Sequence, residues 1–229
     1  MNTTPAYLTP SEQVYLNGEK FVPKGGVFNT TRLIHMDYAV GAAPLAQVLV
    51  AAAFLTLEQQ GTLRLEIRQK KVMFGLASSK ALYADAVGQM AAWPAYTLEA
   101  ALPGWAYQLA GDKSQNEVHT ILYAWLGQDV ANPFEELFNR VKYGLAARGL
   151  LETRQETHLK IFKSTAYVVP DGTRQLAAVQ PLQPVQQLLG WYQQSRPEIY
   201  SSLFDQIKKG ITARQEKSDT DFDNSGPDD

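Results

Sequence analysis

Residues 38–68 read YAVGAAPLAQVLVAAAFLTLEQQGTLRLEIR, and the fold turns on how this stretch is taken. From Tyr38 to Leu57 no residue carries a charge, and about twenty such residues are the length that crosses a bilayer. Pro44, Gln47, an alanine-rich rather than leucine-rich composition and the lack of a second such run favour a buried core helix instead. On that reading the helix runs from about Pro44 to Gln60. Pro44 sits in the first turn, where a missing N–H costs nothing, and Gly61 caps the end. Leu63-Arg64-Leu65-Glu66-Ile67-Arg68 then alternates strictly and predicts a half-exposed strand. Gln69-Lys70-Lys71 is expected to turn the chain, and Val72-Met73-Phe74-Gly75 to return as the second arm of a small wing.

The same order recurs later in the chain. Asn132-Pro133-Phe134-Glu135 marks a helix start with a cap, a proline in the first position and a carboxylate at the positive end of the helix dipole. Leu137, Val141, Leu145 and Arg148 follow at helical spacing until Gly149. Leu150–Thr153, a polar Arg154–Thr157 turn and His158–Phe162 running toward Val169 then predict a second hairpin. Helix, glycine, strand and strand thus appear twice, which suggests two winged-helix-like units.

Elsewhere the signals are local. Residues 7–32 read as a hairpin or irregular surface segment around Asn17-Gly18. Ser78-Ser79 offers a cap for a helix to about Ala92, stopped by Trp93-Pro94. Ser114–Glu117 is a capping box ahead of Val118–Leu126. Residues 170–184 look irregular, and 185–194 and 198–209 look like closing helices ended by Gly210. The four tryptophans are expected in the core. The fold class is therefore mainly α within α+β: a helical core carrying two helix-then-hairpin units, one of the hairpins protruding. Residues 1–217 are expected to form one domain. The tail from Ser218, with five Asp and no base, is expected to be disordered.

Composition narrows the chemistry. Lys and Arg number 21 against 23 Asp and Glu, for a formal charge of −2, so no global field draws in nucleic acid. With no cysteine, thiolate chemistry and Cys-type metal sites fall away, and a reducing, cytoplasmic setting is the default expectation. His35, His119 and His158 lie far apart in no metal-binding spacing, and no nucleophile elbow or phosphate loop is present. Neither a catalytic residue, a metal nor a cofactor is expected. The cations gather around the wings: Arg64, Arg68, Lys70 and Lys71 at the first, Arg148, Arg154, Lys160 and Lys163 at the second. They form an anion-binding surface if both wings face one side, or a solvated edge if they do not.

Three stretches carry a resemblance: LTPSEQVYLNG (8–18), VLVAAAFLTLEQQGTLRLE (48–66) and AWLGQDVANPFEELFNRVKYGLAARGLLE (124–152). In their order and over roughly residues 8–170 the chain resembles the Golgi phosphoprotein 3 family of peripheral membrane proteins, as a bacterial-type relative. The resemblance implies a helical fold with a protruding hairpin that binds phosphoinositide headgroups and the cytoplasmic tails of membrane enzymes. Val50 stands near the place of one of the family's headgroup-binding arginines, and Glu135 and Phe138 near two others. Arg140 lies one turn along and Arg32 precedes the apolar helix.

The function expected is a non-catalytic peripheral membrane or adaptor protein, cytoplasmic and able to sit at a membrane surface. Its partners would be an anionic, phosphoinositide-like lipid headgroup, a protein tail, or further copies of the chain. The candidate headgroup residues are Arg32, Arg140, Arg148, Arg154 and Lys160. The alternative is a winged-helix nucleic-acid-binding or regulatory protein, which the acidic pI near 6.0 disfavours.

Overall fold

A helix that is apolar all round must be covered all round, and the centre of the molecule is such a helix, α2 (Ala42–Gln59). The computed structural model describes residues 7–26, 29–72, 77–88, 92–111, 115–127, 130, 132–158 and 162–223. Leu45, Leu49, Ala52, Phe54 and Leu55 of α2 have no solvent contact at all. Each fully buried Leu or Phe contributes about 1.5–3 kcal/mol. α2 is also, among the described residues, the one helix long and apolar enough to cross a membrane. Here protein covers it: α1 (Pro10–Leu16), α3 (Leu98–Gly111), α5 (Pro133–Ala147), α7 (Gln183–Ser195) and α8 (Pro197–Asp223) all pack on it. α4 (Val118–Leu126) lies against α3 and α8, and α6 (Asp171–Val179) follows the last strand.

The described strands make three two-stranded antiparallel sheets. β1 (Thr30–Arg32) pairs with β2 (Ala39–Gly41), β3 (Leu63–Val72) with β4 (Ala77–Ala86), and β5 (Glu152–His158) with β6 (Phe162–Val168). The two larger hairpins each spring from a helix through the same six-residue device. After α2, Gly61 N–H donates to Glu58 O at 2.9 Å and Thr62 N–H to Leu57 O at 2.9 Å. After α5, Gly149 N–H donates to Ala146 O at 2.9 Å and Leu150 N–H to Leu145 O at 2.9 Å. Both are Schellman caps, and both put a glycine at positive φ, 70° and 71°. A Cβ at either glycine would meet nothing within 4 Å, so only the backbone conformation opposes a side chain there. Gly61→Ala and Gly149→Ala are each expected to cost about 1–2 kcal/mol, read as a fall in the urea midpoint at unchanged slope.

The mainly helical α+β class and the two helix-then-hairpin units stand as expected. Several elements do not. Residues 10–16 are a helix, not a hairpin arm. Thr9-Pro10-Ser11-Glu12 is a helix start: proline opens the first turn, and the Glu12 carboxylate accepts Thr9 N–H at 2.9 Å. The predicted helix from Ser78 is strand β4, because ten residues of β3 pair with it and Leu82 and Ala84 bury completely. Pairing and burial here override the helix propensity of Lys80-Ala81-Leu82. The expected turns at Gln69–Lys71 and Arg154–Thr157 lie inside strands, and both hairpin tips (73–76 and 159–161) lie outside the described residues.

Residues 98–111 form α3, which the sequence signals missed. The cap of α4 is Glu117 and not Ser114, which lies outside the described residues. Residues 171–179 are helical, not irregular. Gly210 does not end the last helix: it lets α8 approach α4, since a Cβ there would stand 2.8 Å from His119 O. α8 continues to Asp223, so residues 218–223 of the acidic tail are helical. Once the packed half of a helix is nucleated, each further residue adds a hydrogen bond at little cost. Trp191 is 53% exposed rather than core.

Candidate functional site

α5 is the ridge between two cavities, and its 3.6-residue period assigns its side chains to them. Glu135, Phe138 and Lys142 line the first, of about 390 Å³; Glu136, Asn139, Arg140 and Tyr143 line the second, of about 600 Å³. The helix is fixed at its start by Asn132, whose side-chain oxygen accepts Glu135 N–H at 3.1 Å.

The first cavity closes with β1 on one side and β6 on the other, contributing Thr30, Thr31 and Arg32, and Thr165, Ala166 and Tyr167. Its cations are Arg32 and Lys142. The Arg32 side chain is 82% exposed and lies 3.6 Å from an equally exposed Asp37, a contact of little energetic weight. Lys142 Nζ sits 5.5 Å above the centre of the Tyr167 ring. Burial holds its ammonium below the usual lysine range, and the charge of Glu135 opposes that shift only in part. An incoming anion would restore what burial takes away. Two cations and one carboxylate line the cavity, with threonine hydroxyls and the Asn132 amide beside them, and Asp37 stands against Arg32.

The expected headgroup residues divide. Arg32 lines the first cavity. Arg140 lines the second, held by Glu136 Oε1 at 2.7 Å and Leu126 O at 3.0 Å, with its guanidinium 5.0 Å from the Trp125 ring centre. Arg148 faces neither cavity. It pairs with the buried carboxylate of Glu12 and donates to Tyr7 O at 3.1 Å, tying the end of α5 to α1. Arg154 is exposed on the hairpin, 3.8 Å from Glu152. Lys160 lies outside the described residues.

Arg64, Arg68 and Lys70 of the first wing line neither cavity. Arg64 reaches Asp85 at 3.3 Å, Arg68 pairs with Glu66 at 2.8 Å and with Asp85, and Lys70 pairs with Glu117. Glu66 shares β3 with Arg68, whereas Asp85 is brought opposite Arg64 by β4 pairing and Glu117 comes from the start of α4. Glu117 also stands 3.3 Å from His119 Nδ1, which donates to Gln206 Oε1 at 2.6 Å.

One buried acid stands apart. Glu99, at the start of α3, accepts Ser11 N–H at 2.8 Å and Ser11 Oγ–H at 2.9 Å. Burial pushes its carboxyl up to about 7, and the neighbouring Glu12 adds to the shift.

Lys142 was not anticipated. Its signal is its place one turn beyond Phe138 on the Asn-Pro helix, the face that already carries Glu135. Tyr96 and Tyr143, on the lip of the second cavity, were also missed; nothing in residues 93–97 beyond Trp93-Pro94 marks that segment as a wall. Compared with known proteins, the chain matches no family model and no curated protein.

Proposed function

We propose that the protein is a non-catalytic peripheral adaptor whose first cavity receives an anionic, phosphate-bearing headgroup at a membrane surface. The observation supporting this reading is the convergence of Arg32 from β1, Lys142 from α5 and residues 165–167 from the second hairpin on one cavity. A phosphate would accept from the guanidinium, the ammonium and the hydroxyls of Thr30 and Thr31. Glu135 in the wall disfavours a densely charged ligand. A nucleic-acid reading gains no support from the first wing, whose arginines and Lys70 are occupied by carboxylates.

The expected result is co-sedimentation with vesicles of phosphatidylcholine containing a phosphoinositide, but not with phosphatidylcholine alone. Binding should fade as salt shortens the screening length from about 10 Å at 0.1 M toward 3 Å at 1 M. Basic residues near such a surface are worth about 1 kcal/mol each, so Arg32→Ala/Lys142→Ala should weaken binding about 30-fold. Equal sedimentation with the two kinds of vesicle at low salt would sink the proposal.

A further inference from the structure

The second cavity has a different chemistry from the first. Tyr96 enters it on a backbone with φ 66°, a conformation that L side chains seldom adopt. Gly144 makes that path passable, since a Cβ there would stand 2.4 Å from Tyr96 O. The result is two large aromatic rings held out toward solvent: Tyr96 is 63% and Tyr143 54% exposed, with ring centres 5.2 Å apart at 85°. Strained backbone retained in order to expose an aromatic side chain is a mark of function.

Charge and shape narrow the occupant. Glu136 and Arg140 are closed on each other, so the cleft has no net charge to offer an ionic ligand. Perpendicular rings form a corner rather than a slot; that suits a saturated ring with C–H faces and not a flat base slid between parallel planes. Asn139 lies one turn before Tyr143, and its side chain has no hydrogen-bond partner among the described residues, leaving an amide donor for a carbonyl. A polyproline II chain presents both features, saturated pyrrolidine rings and backbone carbonyls with no internal partners. Aromatic-lined grooves are the surfaces that read it. Tyr, Trp and Arg are also the residues enriched at the energetic centres of protein interfaces.

We infer that the cleft between α5 and the Tyr96 segment docks a proline-rich segment of a partner protein in the polyproline II conformation. This does not rest on the headgroup cavity, which borders the cleft and shares Tyr167 with it but none of Tyr96, Asn139 and Tyr143.

The test titrates the full chain with decaproline and with a Gly-Ser peptide of the same length, followed by tryptophan fluorescence and calorimetry. Decaproline should saturate below about 1 mM, with no saturation by the Gly-Ser peptide. Tyr143→Ala should weaken it at least about tenfold, and Asn139→Leu, which removes the amide, should weaken it as well. Tyr107→Ala, exposed on α3 and outside the cleft, should bind as the parent does. If Tyr143→Ala fails to fold, Asn139→Leu decides. No saturation by decaproline, undiminished binding by the deciding variant, or binding of AMP or cellobiose in place of decaproline would overturn the inference and leave the vesicle experiment untouched.

Discussion

Arg148→Ala should lower the stability of the fold by about 3–5 kcal/mol and leave vesicle binding per folded molecule unchanged. The Glu12 carboxylate is 2% exposed and the Arg148 side chain 18%, so the pair is buried at the junction of α1 with the end of α5. Removing the guanidinium strands a carboxylate and also orphans Tyr7 O. Burial already raises the Glu12 pKa, while Arg148 and the Thr9 N–H oppose that rise. In the variant Glu12 will take up a proton, which limits the loss but does not remove it. Glu12→Gln/Arg148→Met should recover much of the stability, because a buried ion pair replaced by neutral groups of similar size is often close to neutral. Urea unfolding of the three variants measures this. A loss below about 1 kcal/mol for Arg148→Ala, together with loss of vesicle binding, would return Arg148 to the ligand surface.

The second large effect is a dependence of stability on pH that Glu99 controls. Its folded-state pKa is pushed up to about 7 from an ordinary 4.5. Below pH 4.5 both states are protonated and the group contributes no difference. Between 4.5 and 7 the unfolded chain releases its proton while the folded chain keeps it, so stability falls as pH rises. Above about 7 both states are ionised and the fall is complete, roughly 3 kcal/mol in all. The groups facing Glu99 are Ser11, which donates twice, and Glu12, whose charge is balanced by Arg148. Glu99→Gln keeps an acceptor for Ser11 N–H and removes the titration. Its melting temperature should exceed the parent's at pH 8, and the difference between the two should shrink toward pH 5. Parallel pH profiles for the two proteins would disprove the assignment.

What the sequence revealed was what is local. The α2 and α5 helices, their glycine exits and the strand that leaves each exit are written in periodicity and capping over short windows, and the structure reproduces them, while the turns of both hairpins fall elsewhere. Ser78–Ala86 misled because Lys80, Ala81 and Leu82 favour a helix by themselves, and only the partner strand decides otherwise. The Thr9-Pro10-Ser11-Glu12 cap was legible, but the following Asn17-Gly18 turn signal outweighed it. The site divides in the same way. Arg32 could be picked as a cation near α2, whereas Lys142 needed α5 to be set against β1 and β6. Arg148 looked free because Glu12, its partner, lies 136 residues earlier in the chain.

The covering of α2 has a consequence for synthesis. Two of its covers, α7 and α8, are translated after residues 60–182 have been added, and at about 5–20 residues per second that interval is of the order of ten seconds. Throughout it the most apolar segment of the chain lacks these two of its neighbours, while α1, α3 and α5 are already made or being added. Until α7 and α8 close over it, the nascent chain therefore carries an apolar surface that the finished fold hides.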